Sequence, residues 1–148
     1  MDRQFDLTDL NEKENMYDIV VCYHILEHIS QDRKAMGEIF RILKVDGIAL
    51  IQVPFWDKDT YENPDVQTSE ARRDSFGQSD HVRVYGFNDF INRLTQIGFI
   101  VTPIQYAKQL GKHICQKYVL NEDEYIFVCR KSWLFFHIEN DVTANTEK

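Results

Sequence analysis

Two short stretches of the sequence carry side chains able to do chemistry. His24-Ile25-Leu26-Glu27-His28 spells H-x-x-E-H, a spacing that serves inverted zinc proteases when both imidazoles lie one turn apart on a helix. Such a site also needs a third ligand and an open coordination position. Here His24 follows a strand-like run almost directly, so the two rings need not share a helical face. The expectation is that no metal is held and that His28 packs or hydrogen-bonds near a helix start. The second stretch, Asp80-His81-Val82-Arg83-Val84-Tyr85, alternates polar and apolar residues. In an extended chain His81, Arg83 and Tyr85 point the same way. They can then bind a substrate, with His81 a general base for an oxygen or nitrogen nucleophile, Tyr85 a second catalytic candidate and Arg83 a substrate contact. The same pattern also fits a surface-exposed loop with internal salt bridges.

The elements that position these residues follow from periodicity. Tyr17-Asp18-Ile19-Val20-Val21-Cys22 is a continuous run of the kind a parallel sheet buries on both faces. Ala35, Met36, Ile39, Phe40, Ile42 and Leu43 then recur at helical spacing, with Ser30 or Asp32 placed to cap. Gly47 closes that region, and Ile48 to Pro54 reads as a second buried strand ended by its proline. From Phe55 to about Gly86 no period holds, and loops this long are usually functional covers or contain a short helix of their own, such as Ser69 to Ser75 here. Asn88 caps a helix with Phe90, Ile91, Leu94 and Ile97 as its stripe, and Gly98 ends it. Phe99 to Tyr106 is a third strand, Lys108 to Tyr118 a helix, and Tyr125 to Cys129 a fourth strand. Trp133-Leu134-Phe135-Phe136 is an apolar patch, and the polar tail from Glu139 to Lys148 is expected to be disordered.

With 148 residues, 43% of them hydrophobic and 28% charged, the chain can bury one core. The apolar runs are too short to span a bilayer and the first residues have no apolar signal region, so a cytoplasmic location is expected. Cys22, Cys115 and Cys129 lack paired metal spacing and read as buried thiols. A formal net charge of -7 disfavours a nucleic-acid substrate.

Taken in order, Asp6-Leu7-Thr8-Asp9-Leu10, then Tyr17 to Ile29, Glu38 to Gly47, Gln52-Val53-Pro54, Phe76 to Gly86 and Gly98-Phe99 resemble the class I S-adenosylmethionine-dependent methyltransferases, type 11-like. The resemblance covers roughly Asp6 to Lys131, and the series is far more specific than any one motif. It implies an α/β fold: a partial Rossmann-like methyltransferase sheet of strands four to seven, the last antiparallel and inserted beside the fifth, with flanking helices. Residues 1–131 would be the carboxy-terminal part of the methyltransferase domain, and 132–148 the apolar patch and tail. The family's first three strands and its Asp/Glu-x-Gly-x-Gly turn, whose glycines admit the cofactor's methionine part, have no counterpart before Asp6. Where the family commonly has Lys-Pro-Gly-Gly, this chain has Lys44-Val45-Asp46-Gly47, and Asp46 can keep the turn because aspartate tolerates the left-handed region.

The resemblance also implies roles. S-adenosylmethionine is the cofactor, with Asp6 and Leu7 at its adenine and Cys22, Tyr23 and His24 near its sulfonium end, in the crevice where open parallel sheets bind ligands. The activity implied is methyl transfer to a small-molecule or carrier-borne acceptor, incomplete in this chain alone. The other reading is a non-catalytic truncated segment acting as an interaction module. The expected partners are a small-molecule substrate, the missing amino-terminal half, or a second copy joined through the exposed strand edge, and no membrane.

Overall fold

In the structure, a computed structural model that describes residues 5–132, the β-branched run forms β1 (Tyr17–Tyr23), followed by a 3₁₀ turn at Leu26–His28. Next come α1 (Asp32–Ile42), β2 (Leu43–Gln52), and two short strands, β3 (Phe55–Trp56) and β4 (Tyr61–Glu62). The chain continues through α2 (Ser69–Phe76), β5 (Arg83–Gly86), α3 (Phe87–Ile97) and β6 (Phe99–Ile104). It closes with α4 (Tyr106–Leu110), α5 (Lys112–Tyr118) and β7 (Ile126–Lys131). The apolar patch Trp133 to Phe136 and the polar tail lie outside the described residues.

The four long strands make one sheet in the order β1-β2-β7-β6. β1 and β2 are parallel, and β7 runs antiparallel to both its neighbours. This is the arrangement the motif series implied, with the last strand inserted beside the second of the four. Helices α1 and α3 cover one face: Ala35, Met36, Ile39, Phe90 and Leu94 pack on Cys22, Ala49, Ile51, Phe99, Phe127 and Cys129. Alternation sends the other strand residues to the opposite face. There Val21 pairs with Leu50, Leu50 with Val128, and Val128 with Thr102, in one row across the sheet. Ile19 and Val21 are each 57% exposed, and β1 is an edge strand among the described residues.

Several local expectations shift. The side chains of Ser30 and Asp32 do not cap α1, whose N-cap is Gln31; Asp32 is buried instead. The helix ends at Ile42, and β2 begins directly at Leu43. Within β2, Asp46 takes φ 63°, the left-handed conformation the turn requires. Helix α3 starts at Phe87 after Gly86 rather than at Asn88. Gly86 is forced by a close approach: a Cβ there would lie 2.3 Å from the Lys58 carbonyl oxygen. Gly111, at φ 82°, splits the expected Lys108 to Tyr118 helix into α4 and α5. The long cover has order of its own, because β5 pairs with β3 and β4 in a small three-stranded sheet.

Candidate functional site

The carboxy end of β1 carries the first group of candidates. Cys22 faces the core, and burial pushes its thiol up to about 12. Tyr23 pairs with Gln52, and the His24 amide still donates to the Gln52 carbonyl at 2.9 Å. His24 then adopts φ 52°, so the chain leaves the sheet sharply and its imidazole remains largely exposed. On the near side, Asp6 Oδ1 accepts from the Thr8 amide and hydroxyl, both at 2.8 Å, and these bonds hold the carboxyl below its usual range. Oδ2 has no hydrogen bond within the described residues. The segment after Asp6 is tied to α1 by Glu38 and Arg41: Leu10 N donates to Glu38 at 2.8 Å, while Arg41 donates to the Leu10 and Glu12 carbonyls. Leu7 and Ile25 line one apolar groove of about 510 Å³ with Leu10, Tyr17 and Ile19.

Arg83 and Tyr85 lie elsewhere, inside a buried ionic framework. Arg83 donates from Nε to Glu62 at 2.8 Å, from Nη1 to the Leu26 and Ile29 carbonyls, and from Nη2 to the Ser30 carbonyl at 2.9 Å. Tyr85 is fully buried and donates to Asp32 at 2.8 Å; burial first, and the Asp32 charge second, push its phenol well above the ordinary value. Arg93, which donates to Asp32, Glu62 and Asp89, completes the framework. The sequence expectation that Arg83 and Tyr85 share a direction holds, and that direction is inward. Arg83 thereby clamps the turn that carries Glu27 and His28.

His81 is 4% exposed, its Nδ1 has no hydrogen-bond partner, and its ring stands edge-on to His28 with centroids 4.7 Å apart. His24, Glu27 and His28 gather at the same place. Glu27, buried without a hydrogen bond to either carboxylate oxygen, was not singled out from the sequence beyond its place in H-x-x-E-H, because a lone glutamate gives no sign of burial. Sequence reasoning also missed a second opening, of about 860 Å³, beyond the carboxy end of β2. It is lined by Phe55, Trp56, Phe87, Asp89 and Tyr125. The aromatic content of this stretch was the available signal.

A family model described as a methyltransferase domain matches residues 2–51, the part that contains β1, α1 and most of β2. No curated protein matches the chain. Among solved structures, the Haloferax volcanii complex between the Trm112 methyltransferase activator and a methyltransferase has a chain 14% identical, with TM-score 0.58, covering 86% of this chain and 60% of its own. The YcgJ protein of Bacillus subtilis is 18% identical, with TM-score 0.57, covering 88% of this chain and 70% of its own. Phosphoethanolamine N-methyltransferase 2 of Haemonchus contortus, in complex with S-adenosyl-L-methionine, is 16% identical, with TM-score 0.57. This chain covers 36% of that one, against 86% of itself. The resemblance to class I methyltransferases read from the motifs therefore holds, and the fold is theirs.

Proposed function

From a chain whose residues 2–51 match the methyltransferase domain family and whose sheet has that fold's strand order, we propose a part in S-adenosylmethionine-dependent methyl transfer. The observation that carries this reading is the coincidence of the match with the β1-α1-β2 unit, whose strand ends form the ligand crevice of such sheets. The residues present fit one end of the cofactor. Asp6 keeps Oδ2 open as an acceptor for the adenine amino group, Leu7 and Ile25 offer an apolar wall, and Cys22, Tyr23 and His24 border the sulfonium side. None of the six glycines stands in a Gly-x-Gly pattern, the turn that in such sheets meets the methionine end of the cofactor. In this reading residues 1–131 are the carboxy-terminal part of a methyltransferase domain, followed in the sequence by the apolar patch and tail of 132–148.

The cofactor, when bound, supplies an already activated methyl on its sulfonium, so positioning and exclusion of water can suffice for transfer. The acceptor is a small or carrier-borne molecule, and the aromatic opening at Phe55, Trp56, Phe87 and Tyr125 supports that class because it lies beside the same strand ends. His81 sits beside Glu27 and His28, and Arg83 and Tyr85 act by positioning the turn that bears those two residues.

Titration calorimetry with S-adenosylhomocysteine tests the reading. The 148-residue chain alone binds weakly or not at all. The same chain extended by strands one to three with their glycine turn binds in the micromolar range, and Asp6→Ala weakens that binding. No binding by the extended chain overturns the proposal.

One observation favours a second, non-catalytic reading. The uncovered face and edge around Ile19 and Val21 suit an interaction module that pairs with a second copy or with the missing half.

A further inference from the structure

Glu27 is 1% exposed, and neither of its carboxylate oxygens accepts a hydrogen bond. Burying a carboxylate costs several kcal/mol unless opposite charge or a metal compensates. Among the described residues no arginine or lysine pairs with it. Imidazoles surround it instead: His24 Nδ1 lies 3.4 Å and His28 Nε2 4.0 Å from Glu27 Oε1. One ligand atom each from Glu27, His28 and His81 falls within 4.8 Å of the others. Buried His81 adds a second orphan, its Nδ1.

We propose that Glu27, His28 and His81 form a binding site for a divalent transition metal of the zinc class, with the fourth position left to water. The donor set is two imidazoles and a carboxylate, which suits a borderline cation such as zinc. Metal-to-ligand bonds of about 2.1 Å place tetrahedral donors roughly 3.4 Å apart. The His28 to Glu27 separation exceeds this value by 0.6 Å (4.0 against 3.4 Å), and His24 Nδ1 approaches the same Glu27 oxygen from outside the cluster at 3.4 Å. The same distances are too long for good hydrogen bonds. Outer contacts agree as well. His28 Nδ1 faces the Asp80 carbonyl oxygen at 3.3 Å and its carboxylate at 3.4 Å. Donation from that nitrogen turns the Nε2 lone pair toward Glu27, as in ligating histidines whose second nitrogen is held by an acceptor.

The scaffold is fixed on both sides. Arg83 binds the Leu26 and Ile29 carbonyls, and the Val82 amide donates to the Glu27 carbonyl at 2.9 Å, which joins the two ligand-bearing segments. An ion can enter between His24 and His28, whose side chains are 54% and 31% exposed. The objections raised by the sequence spacing are both met: the left-handed His24 and the 3₁₀ turn bring both rings to one carboxylate, and the third ligand comes from His81. With its lone pair on a metal, that ring is a ligand rather than a base. The inference does not depend on methyl transfer, and its readouts are stoichiometry, spectrum and thermal stability.

The test uses the full 148-residue chain, stripped with a chelator and then titrated with zinc against a chromophoric competitor, and in parallel with cobalt(II). One equivalent binds, cobalt gives the intense visible bands of a four-coordinate ion, and the metal raises Tm. His28→Ala, at a partly exposed position, and His81→Ala each weaken zinc by more than the ~100-fold typical of outer-contact changes, while His113→Ala, at an exposed histidine, leaves it unchanged. Glu27→Gln, with its fold checked by circular dichroism, abolishes the cobalt bands. Failure of the folded wild-type chain to bind one equivalent overturns the proposal. Binding that survives both His28→Ala and His81→Ala overturns it equally.

Discussion

Replacing Arg83 by methionine separates a strut from a substrate contact. The guanidinium satisfies the Ile29 and Ser30 carbonyls, shares the Leu26 carbonyl with the Tyr85 hydroxyl, and pairs with Glu62. After Arg83→Met, Glu62 keeps Arg93 and Leu26 keeps Tyr85, so the main loss falls on the Ile29 and Ser30 carbonyls. Each part-buried carbonyl left unpaired costs about 1–3 kcal/mol, and burial of the methionine side chain returns about 1.5–3 kcal/mol. Two carbonyls at about 2 kcal/mol each, less about 2 kcal/mol for the methionine, leave a net destabilisation of about 2 kcal/mol. Arg83→Lys lies between the two, since an ammonium keeps the charge but not the fork that reaches three carbonyls. Urea unfolding followed by circular dichroism measures both variants, and the lysine variant keeps the comparison informative if the methionine one does not fold. A methionine variant within 1 kcal/mol of wild type would refute the strut and return Arg83 to the substrate.

Two further outcomes are expected. Burial raises the Glu62 and Asp89 carboxyls, but hydrogen bonds outweigh it, from Arg93 and Arg83 to Glu62 and from Thr60 and Arg93 to Asp89, so both sit below their reference values of 4.5 and 3.8. Their stabilisation is complete above those values and is lost as pH falls through the lower folded ones; urea midpoints at pH 7 and pH 3 should diverge less in Glu62→Gln than in wild type. The chain alone should self-associate through β1, whose outward Ile19 and Val21 carry no charge, and Val21→Lys should reduce association in size exclusion with light scattering. A stable wild-type monomer would contradict this, and truncation after Ser132 then tests whether Trp133 to Phe136 supplies the cover.

The main sheet was legible because its strands and helices announce themselves by period: the run at Tyr17 to Cys22, the stripes of α1 and α3, and Gly98 closing α3 at φ 117°. Asp46 was legible for a stereochemical reason, since few side chains accept its φ. What stayed hidden depends on partners distant in sequence. β5 is four residues long and exists through pairing with β3 and β4, so it carries too short a pattern to read. Alternation put Arg83 and Tyr85 on one side but said nothing of which side is dry. Asp32 looked like a cap because its place before a helix favours one, yet Tyr85 and Arg93 claim its carboxylate from more than fifty residues away. The cluster around Glu27 was half visible in H-x-x-E-H, while its third imidazole, His81, could be assigned to it only after folding.

In the proposed function, the crevice beside β1 and the Asp6 segment receives S-adenosylmethionine. Amide-resolved NMR of the chain extended by strands one to three, titrated with S-adenosylhomocysteine, addresses it most directly. The largest shifts are expected at Asp6, Leu7 and Cys22 to Ile25, with smaller ones near Phe55 and Phe87. Saturable binding that leaves Asp6, Leu7 and the Cys22 to His24 amides unmoved would contradict it.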